Sequence, residues 1–195
     1  MRKTESATAD KHGTVEPPMT NWIYELAYAL FFIFPAYVAN AIPVVFGGGR
    51  PIDFGRKMSD GRPVFGSHKT IRGFVAGVAA GTLTTAAQQL ALPLIAPTDF
   101  VLPFQFSVLL GFAVSLGALT GDLLHSFAKR RISIAEGAPL PIVDQVDFVA
   151  GAVLLSFLVS SPPLLTIALI FVITLPAHLL TNMFAYVAGV KKTPW

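Results

Sequence analysis

Between Trp22 and about Val190 the chain is built from long apolar runs separated by short polar connections. The runs are continuous rather than striped, and several reach the roughly 20 residues that a helix needs to cross a bilayer. Asp, Glu, Lys and Arg make up 13% of the residues, about half of what a soluble domain carries. The expected class is therefore an all-α integral membrane protein. Cysteine is absent, which excludes disulfides and zinc–thiolate sites.

Hydropathy and punctuation predict five transmembrane helices, at about Trp22 to Phe46, Gly73 to Ile95, Phe104 to Phe127, Val146 to Ser160 and Leu164 to Val190. Trp22, Tyr24 and Tyr28 cluster near one end of the first, as interfacial aromatics do. Residues 1–20 mix charges, Pro and Thr without periodicity and lack the apolar core of a cleavable signal peptide, so a flexible tail is expected there. Residues 21–195 are expected to form a single transmembrane catalytic domain. Glycines at 73, 77 and 81 recur every fourth position, a pattern that lets helices pack closely.

Two connections are basic. One carries Arg50, Arg56, Lys57, Arg62, Lys69 and Arg72, the other Lys129, Arg130 and Arg131; Lys191 and Lys192 follow the last helix. The connections at Ala96 to Pro103 and Ser160 to Pro163 contain no Lys or Arg. This alternation predicts an outside N-terminus, with both basic loops and the C-terminus in the cytoplasm.

Against that background the aspartates are costly. Asp122, Ser126 and Lys129 share one face of the third helix by their four- and seven-residue spacing. Asp122 lies about 27 Å along that helix, just inside the cytoplasmic boundary of the hydrocarbon. Asp144 and Asp147 open the fourth helix on one face. That helix is only about 22 Å long, so its acidic end is drawn toward the headgroups. Ionisable residues at such depth mark functional sites. A hard cation shared by Asp122, Asp144 and Asp147 accounts for all of them, and oxygen ligands favour Mg²⁺. A purely structural alternative has Asp144 as a helix N-cap and Asp122 paired with Lys129 or Arg130. His125 stands beside this group without fully sharing the Asp122 face. His178 and Asn182, four apart, are expected to hydrogen-bond between helices, and Glu25 to reach interface water.

The loop GGGRPIDFGRKMSDGRPVFGSHKTIRG concentrates glycines and cations. Glycines let backbone approach a ligand and form anion-binding nests, and so many cations suit a polyphosphate. The same charges also serve topology and headgroup attraction. A P-loop is excluded, because His68 breaks the required spacing before Lys69 and no strand precedes it.

That loop, together with GDLLHSFAKRRISIAEGAPLPIVDQVDF, closely resembles the CDP-archaeol synthase family, the archaeal CTP-dependent cytidylyltransferases of ether lipids. The resemblance runs from about Asn40 onward. The second motif is also similar to the CDP-diacylglycerol synthase signature, with Ser126, Lys129, Arg130 and an Asp-x-x-Asp pair at Asp144 and Asp147. Gln145 replaces that family's Arg, and Leu140 to Val143 replace its His-Gly-Gly, which favours the archaeal branch. Gly66-Ser67-His68-Lys69-Thr70-Ile71 departs from an expected Gly-Asp-Gly-Lys-Thr-Trp.

The resemblance implies that CTP and 2,3-bis-O-(geranylgeranyl)-sn-glycerol 1-phosphate react to give the CDP-activated diether and diphosphate. It implies catalytic roles for Asp122, Asp144, Asp147, Lys129 and Arg130, with Mg²⁺ on the three aspartates. Lys129 and Arg130 are then expected on the lipid phosphate or leaving diphosphate. Asn40, Arg50, Asp53, Arg62, Lys69, Thr70, Arg72 and Ser126 are expected at the nucleotide. The expected partners are CTP, the lipid phosphate and membrane lipids, without nucleic acid; a homo-oligomer is compatible. A CTP-dependent polyprenol kinase and a small cation-coupled transporter remain as alternatives. The CDP-alcohol phosphotransferases are excluded, since Asp60-Gly61 continues as Arg-Pro-Val-Phe.

Overall fold

A computed structural model describes residues 22–189 apart from 99 and 141, and the side chain of residue 185 is left aside. The expected tail and the basic Lys191 and Lys192 lie outside the described residues. The described chain forms five helices: α1 (Trp22–Phe46), α2 (Ile71–Ile95), α3 (Val108–Arg131), α4 (Val143–Ser156) and α5 (Leu164–Val187). α1, α2, α3 and α5 are long and apolar enough to cross a membrane. α4, with 14 residues, is roughly 21 Å long and does not reach across a hydrocarbon core by itself.

Local chemistry sets the ends. Thr70 caps α2 by accepting from Gly73 N at 3.2 Å, and Ser107 caps α3 by accepting from Leu110 N at 3.2 Å. The Ser107 cap explains why α3 begins at Val108 and not at Phe104. Lys129, Arg130 and Arg131 fill the last turn of α3, where positive charge complements the helix dipole. α4 starts at Val143 because Ile142 takes φ 71°, a left-handed value that a β-branched residue adopts only under constraint.

Packing is governed by small residues, since apolar burial gives no hydrophobic gain between helices in lipid. A Cβ at Gly77 would stand 2.6 Å from Ala39 O, and one at Gly81 2.7 Å from Pro35 O. The predicted glycine spacing thus seats α2 on α1. A second set, Gly117, Gly121 and Gly151, brings α3 and α4 together backbone to backbone: a Cβ at Gly121 would meet Asp147 O and lie 3.1 Å from Gly151 Cα. Phe32, Ile33, Leu110, Val114, Phe148 and Val149 form the interior. Leu94, Leu158 and Leu164 are 80–85% exposed and point outward, as lipid-facing residues do. α5 packs on α1 and α4, and Tyr37 OH lies 2.9 Å from Thr174 Oγ1.

The α1–α2 connection is folded back on itself. Ile52 N donates to Lys69 O at 2.7 Å and Ile71 N to Arg50 O at 3.1 Å. The loop's two ends therefore lie side by side, and Lys69 and Thr70 emerge next to the start of α2.

Candidate active site

Asp53 shapes that loop from inside. Its buried carboxylate accepts from Gly55 N at 2.9 Å, Phe65 N at 3.0 Å and Gly66 N at 3.2 Å. Burial alone would raise this carboxyl, but the backbone donors outweigh it and hold it below the usual carboxylate range. Phe65 and Gly66 are thereby fixed immediately before Ser67, His68 and Lys69.

A cavity of about 660 Å³ opens between this loop, the last turns of α3 and the first turn of α4. Such a volume suits a nucleotide-sized ligand. Asp122, Asp144 and Asp147 all line it, as do Lys129 and Arg130. Asn40, Lys69, Thr70 and Ser126 line it as well.

Two of the cations inside are already paired with aspartates. Lys69 Nζ donates to both oxygens of Asp122, at 2.7 and 2.6 Å. Lys129 Nζ donates to Asp144 Oδ1 at 2.8 Å, to Oδ2 at 3.0 Å and to Ala138 O at 2.6 Å. Leu140 N donates to Asp144 Oδ2 at 2.6 Å, so Asp144 closes the α3–α4 connection rather than capping α4. The structural alternative of Asp122 with Lys129 or Arg130 is replaced by these two cross-connections. Asp147 lies within Coulombic reach of Asp122, Asp144 and Lys69. Arg130, 6% exposed, donates through Nη2 to Ala135 O at 3.2 Å, while its buried Nε has no partner among the described residues.

His125 takes a larger part than its position on the helical wheel suggests. Its Nε2 stands 2.5 Å from Asp144 Oδ1 and 4.0 Å from Asp147 Oδ2. The ligand atoms of His125, Asp144 and Asp147 lie within 4.8 Å of one another, a donor set that fits a divalent cation. Asp122, expected in that set, is held by Lys69.

The remaining expected nucleotide ligands stand elsewhere. The Asp53, Arg62, Arg72 and Arg50 side chains are not part of the cavity wall. Arg62 Nη1 donates to Arg131 O at 3.3 Å, binding the end of α3. Arg72 Nε donates to Phe46 O at 2.9 Å and Nη2 to Gly47 O, closing the end of α1. Arg50 is exposed. His178 and Asn182 line the cavity, and Asn182 Nδ2 lies 3.0 Å from His178 Nδ1 on the same helix.

Sequence reasoning passed over Glu136. Ser67 N and Oγ donate to its Oε2 at 3.1 and 2.8 Å. Arg131 adds a second link between the two basic loops, 3.0 Å from Asp60. The Arg62 N–H and Arg131 hold the exposed Asp60 carboxyl below its ordinary value.

Residues 21–195 match the family model described as CarS-like, CDP-archaeol synthase. The chain belongs to the CDP-archaeol synthase family. It is 44% identical over 176 residues to the CDP-archaeol synthase of Methanopyrus kandleri, covering 89% of this chain and 95% of that protein. With the Methanocaldococcus jannaschii CDP-archaeol synthase it shares 41% identity over 175 residues, covering 88% and 99%. A solved structure described as an intramembrane enzyme for archaeal membrane lipids biosynthesis superposes with a TM-score of 0.70 at 36% identity. That match covers 81% of this chain and 94% of the other. Family membership places the paired carboxylates and cations of the cavity in an archaeal lipid enzyme.

Proposed function

We propose that this membrane enzyme transfers the cytidylyl group of CTP to the phosphate of 2,3-bis-O-(geranylgeranyl)-sn-glycerol 1-phosphate and releases diphosphate. The observation that carries this reading is the cavity where Lys69, Lys129 and Arg130 meet Asp122, Asp144 and Asp147 at the ends of apolar helices, in a chain of this family. One substrate is a soluble polyanion and the other is anchored in lipid, and a charged cavity at a membrane boundary suits both. Diphosphate release assigns a cytidylyltransferase; CDP release would assign the polyprenol-kinase type of transfer.

The chemistry needs little proton transfer. An ionised oxygen of the lipid phosphate attacks the α-phosphorus of CTP; the new P–O bond forms as the α–β bridge breaks, and its electron pair leaves with diphosphate. Alignment and charge neutralisation supply the acceleration. Lys69 and Lys129 stand ready to exchange carboxylate for phosphate oxygens, and Arg130 adds a cation already desolvated beside them. Asp144 and Asp147, with His125 or a released Asp122, would hold Mg²⁺, which neutralises charge on the triphosphate when bound. Ser126 and Asn40 offer neutral hydrogen-bonding groups on the wall, and Thr70 remains tied to its capping role.

The same reading puts the N-terminus outside, α4 as a fifth, partial span and the cavity on the cytoplasmic side, supported by the basic loops around it. Residues 21–195 then act as one catalytic domain. Incubating purified protein with labelled CTP, Mg²⁺ and the diether phosphate is the direct test: a CDP-linked lipid and diphosphate are expected in equal amounts. No product with any lipid phosphate would overturn the assignment.

A further inference from the structure

Glu136 brings a negative charge to the mouth of a cavity meant for anions. It is exposed, lies on the α3–α4 connection, and reaches across to the other basic loop. Both bonds it receives come from Ser67, one from the backbone N–H and one from the hydroxyl, and both end on the same oxygen, Oε2. The preceding Gly66 has φ 119°, and a Cβ there would come within 2.8 Å of Glu136 Cδ. Only glycine gives the carboxylate this approach. The chain leading into Ser67 is fixed as well: Asp53 holds Phe65 N and Gly66 N, and the carbonyl of the 66–67 peptide, Gly66 O, accepts from Lys69 N at 3.2 Å. A rigid backbone N–H and a hydroxyl converging on one anionic oxygen is the geometry with which proteins hold phosphate.

Resting on the cytidylyltransferase reading, we propose that Ser67 N–H and Oγ–H form an anion subsite which Glu136 fills in the free protein and a substrate phosphate oxygen takes over. Two residues further on, Lys69 is likewise engaged by a carboxylate, Asp122. The loop's donors are therefore charge-balanced by internal acids in the free protein. Displacing Glu136 releases residues 132–140 from the α1–α2 loop at this point, so the cavity mouth widens as the anion enters. Asp60–Arg131 and Arg62 keep the base of the two loops joined. The incoming oxygen belongs to the triphosphate of the nucleotide or to the phosphate of the lipid, and the chemistry of the subsite is the same for both.

Glu136→Gln separates this from a merely structural link. Gln keeps an oxygen that accepts from Ser67, so the loops stay connected, but the competing charge is gone. Binding of CTP, and separately of the diether phosphate in nanodiscs, is measured by calorimetry on the full chain. Removing an internal competitor raises the fraction of binding-competent protein, and about 3- to 10-fold tighter binding is expected for whichever ligand uses the subsite. The tightening should shrink when Ser67→Ala is added. A structural brace predicts the opposite sign, weaker binding in Glu136→Gln. Weaker or unchanged affinity for both ligands overturns the exchange while leaving the enzyme assignment intact. Wild-type protein that binds neither ligand overturns the assignment and the exchange together.

Discussion

The Lys69 ammonium sits astride both carboxylate oxygens of Asp122, at 2.7 and 2.6 Å, and ties the basic α1–α2 loop to the acidic face of α3. The two side chains remain 29% and 24% exposed, so water reaches both and an entering anion can compete for Lys69. A phosphate that drew Lys69 away would free Asp122 in the same motion. The cluster is thus preassembled with its charges matched, which lowers the cost of keeping carboxylates near hydrocarbon.

Neutralising either partner should therefore affect substrate use far more than folding. Lys69→Gln is expected to raise KM for CTP at least about 10-fold, one charge-assisted contact being worth that much. Asp122→Asn is expected to lower kcat/KM by about 100-fold or more, with little change in Tm because partly exposed pairs contribute little to stability. Diphosphate release and thermal unfolding in detergent measure both. Near-normal turnover in Asp122→Asn would reduce the pair to a loop fastening.

Asp144→Asn should behave differently, because Asp144 also carries structure. It receives Lys129, which is 8% exposed, and the N–H of Leu140. Removing its charge leaves a buried ammonium without its counterion. Loss of nucleotidyl transfer should come with a stability loss of about 1–3 kcal/mol, read from denaturation of the purified protein. The double variant Asp144→Asn/Lys129→Met should recover stability but not activity.

Much of this arrangement is legible in the residues themselves. Trp22 to Phe46 is recognisable because lipid demands a continuous apolar run, and Asp122, Asp144 and Asp147 stand out because few reasons exist for placing carboxylates there. His125 is harder to assign, because a histidine near a helix end has many ordinary uses, and only the reach of Asp144 from α4 brings it into the group. Gly117 and Gly121 repeat on α3 the four-residue spacing of the α2 glycines, but nothing in that spacing says that their partner is Gly151 of α4. Glu136 and Ser67 meet through loop geometry, which no periodicity encodes. Arg62 and Arg72 carry the charge of phosphate ligands but spend it on carbonyls at helix ends.

Gly121→Ala tests whether helix contact sets the site. The added methyl would meet the carbonyl of Asp147, so α4 must move away from α3 and carry Asp144 and Asp147 from His125. Displacements of about 1 Å can cost on the order of 100-fold in rate. A fall of at least 10-fold in kcat is expected with the helices still formed by circular dichroism. Full activity would show that the cluster tolerates looser packing.

Asp53 gives a pH prediction. Its carboxyl is depressed in the folded loop, so its contribution is present above the unfolded value, about 3.9, and is lost as pH falls through the lower folded one. Protection of the Phe65 and Gly66 amides in hydrogen exchange should therefore persist from pH 7 to about pH 4 in the wild type. Asp53→Asn presents an amide where a second acceptor is needed. It should reduce that protection already at pH 7 and raise KM for CTP, although Asp53 does not line the cavity.

Pro35 lies inside α1 and has no N–H to give Phe31 O, the carbonyl one turn back. Gln88 of α2 supplies the missing donor, with Nε2 3.0 Å from Phe31 O, and so converts a helix defect into an interhelical bond. Gln88→Leu should destabilise the protein by about 1–2 kcal/mol, since the carbonyl is left unsatisfied away from water. In a Pro35→Ala background the restored backbone N–H can serve Phe31 O, and the same Gln88→Leu change should cost less than half as much. Thermal unfolding of the four proteins in one detergent completes the cycle. Equal costs in both backgrounds would mean that Gln88 stabilises the α1–α2 contact by packing and not by answering the proline.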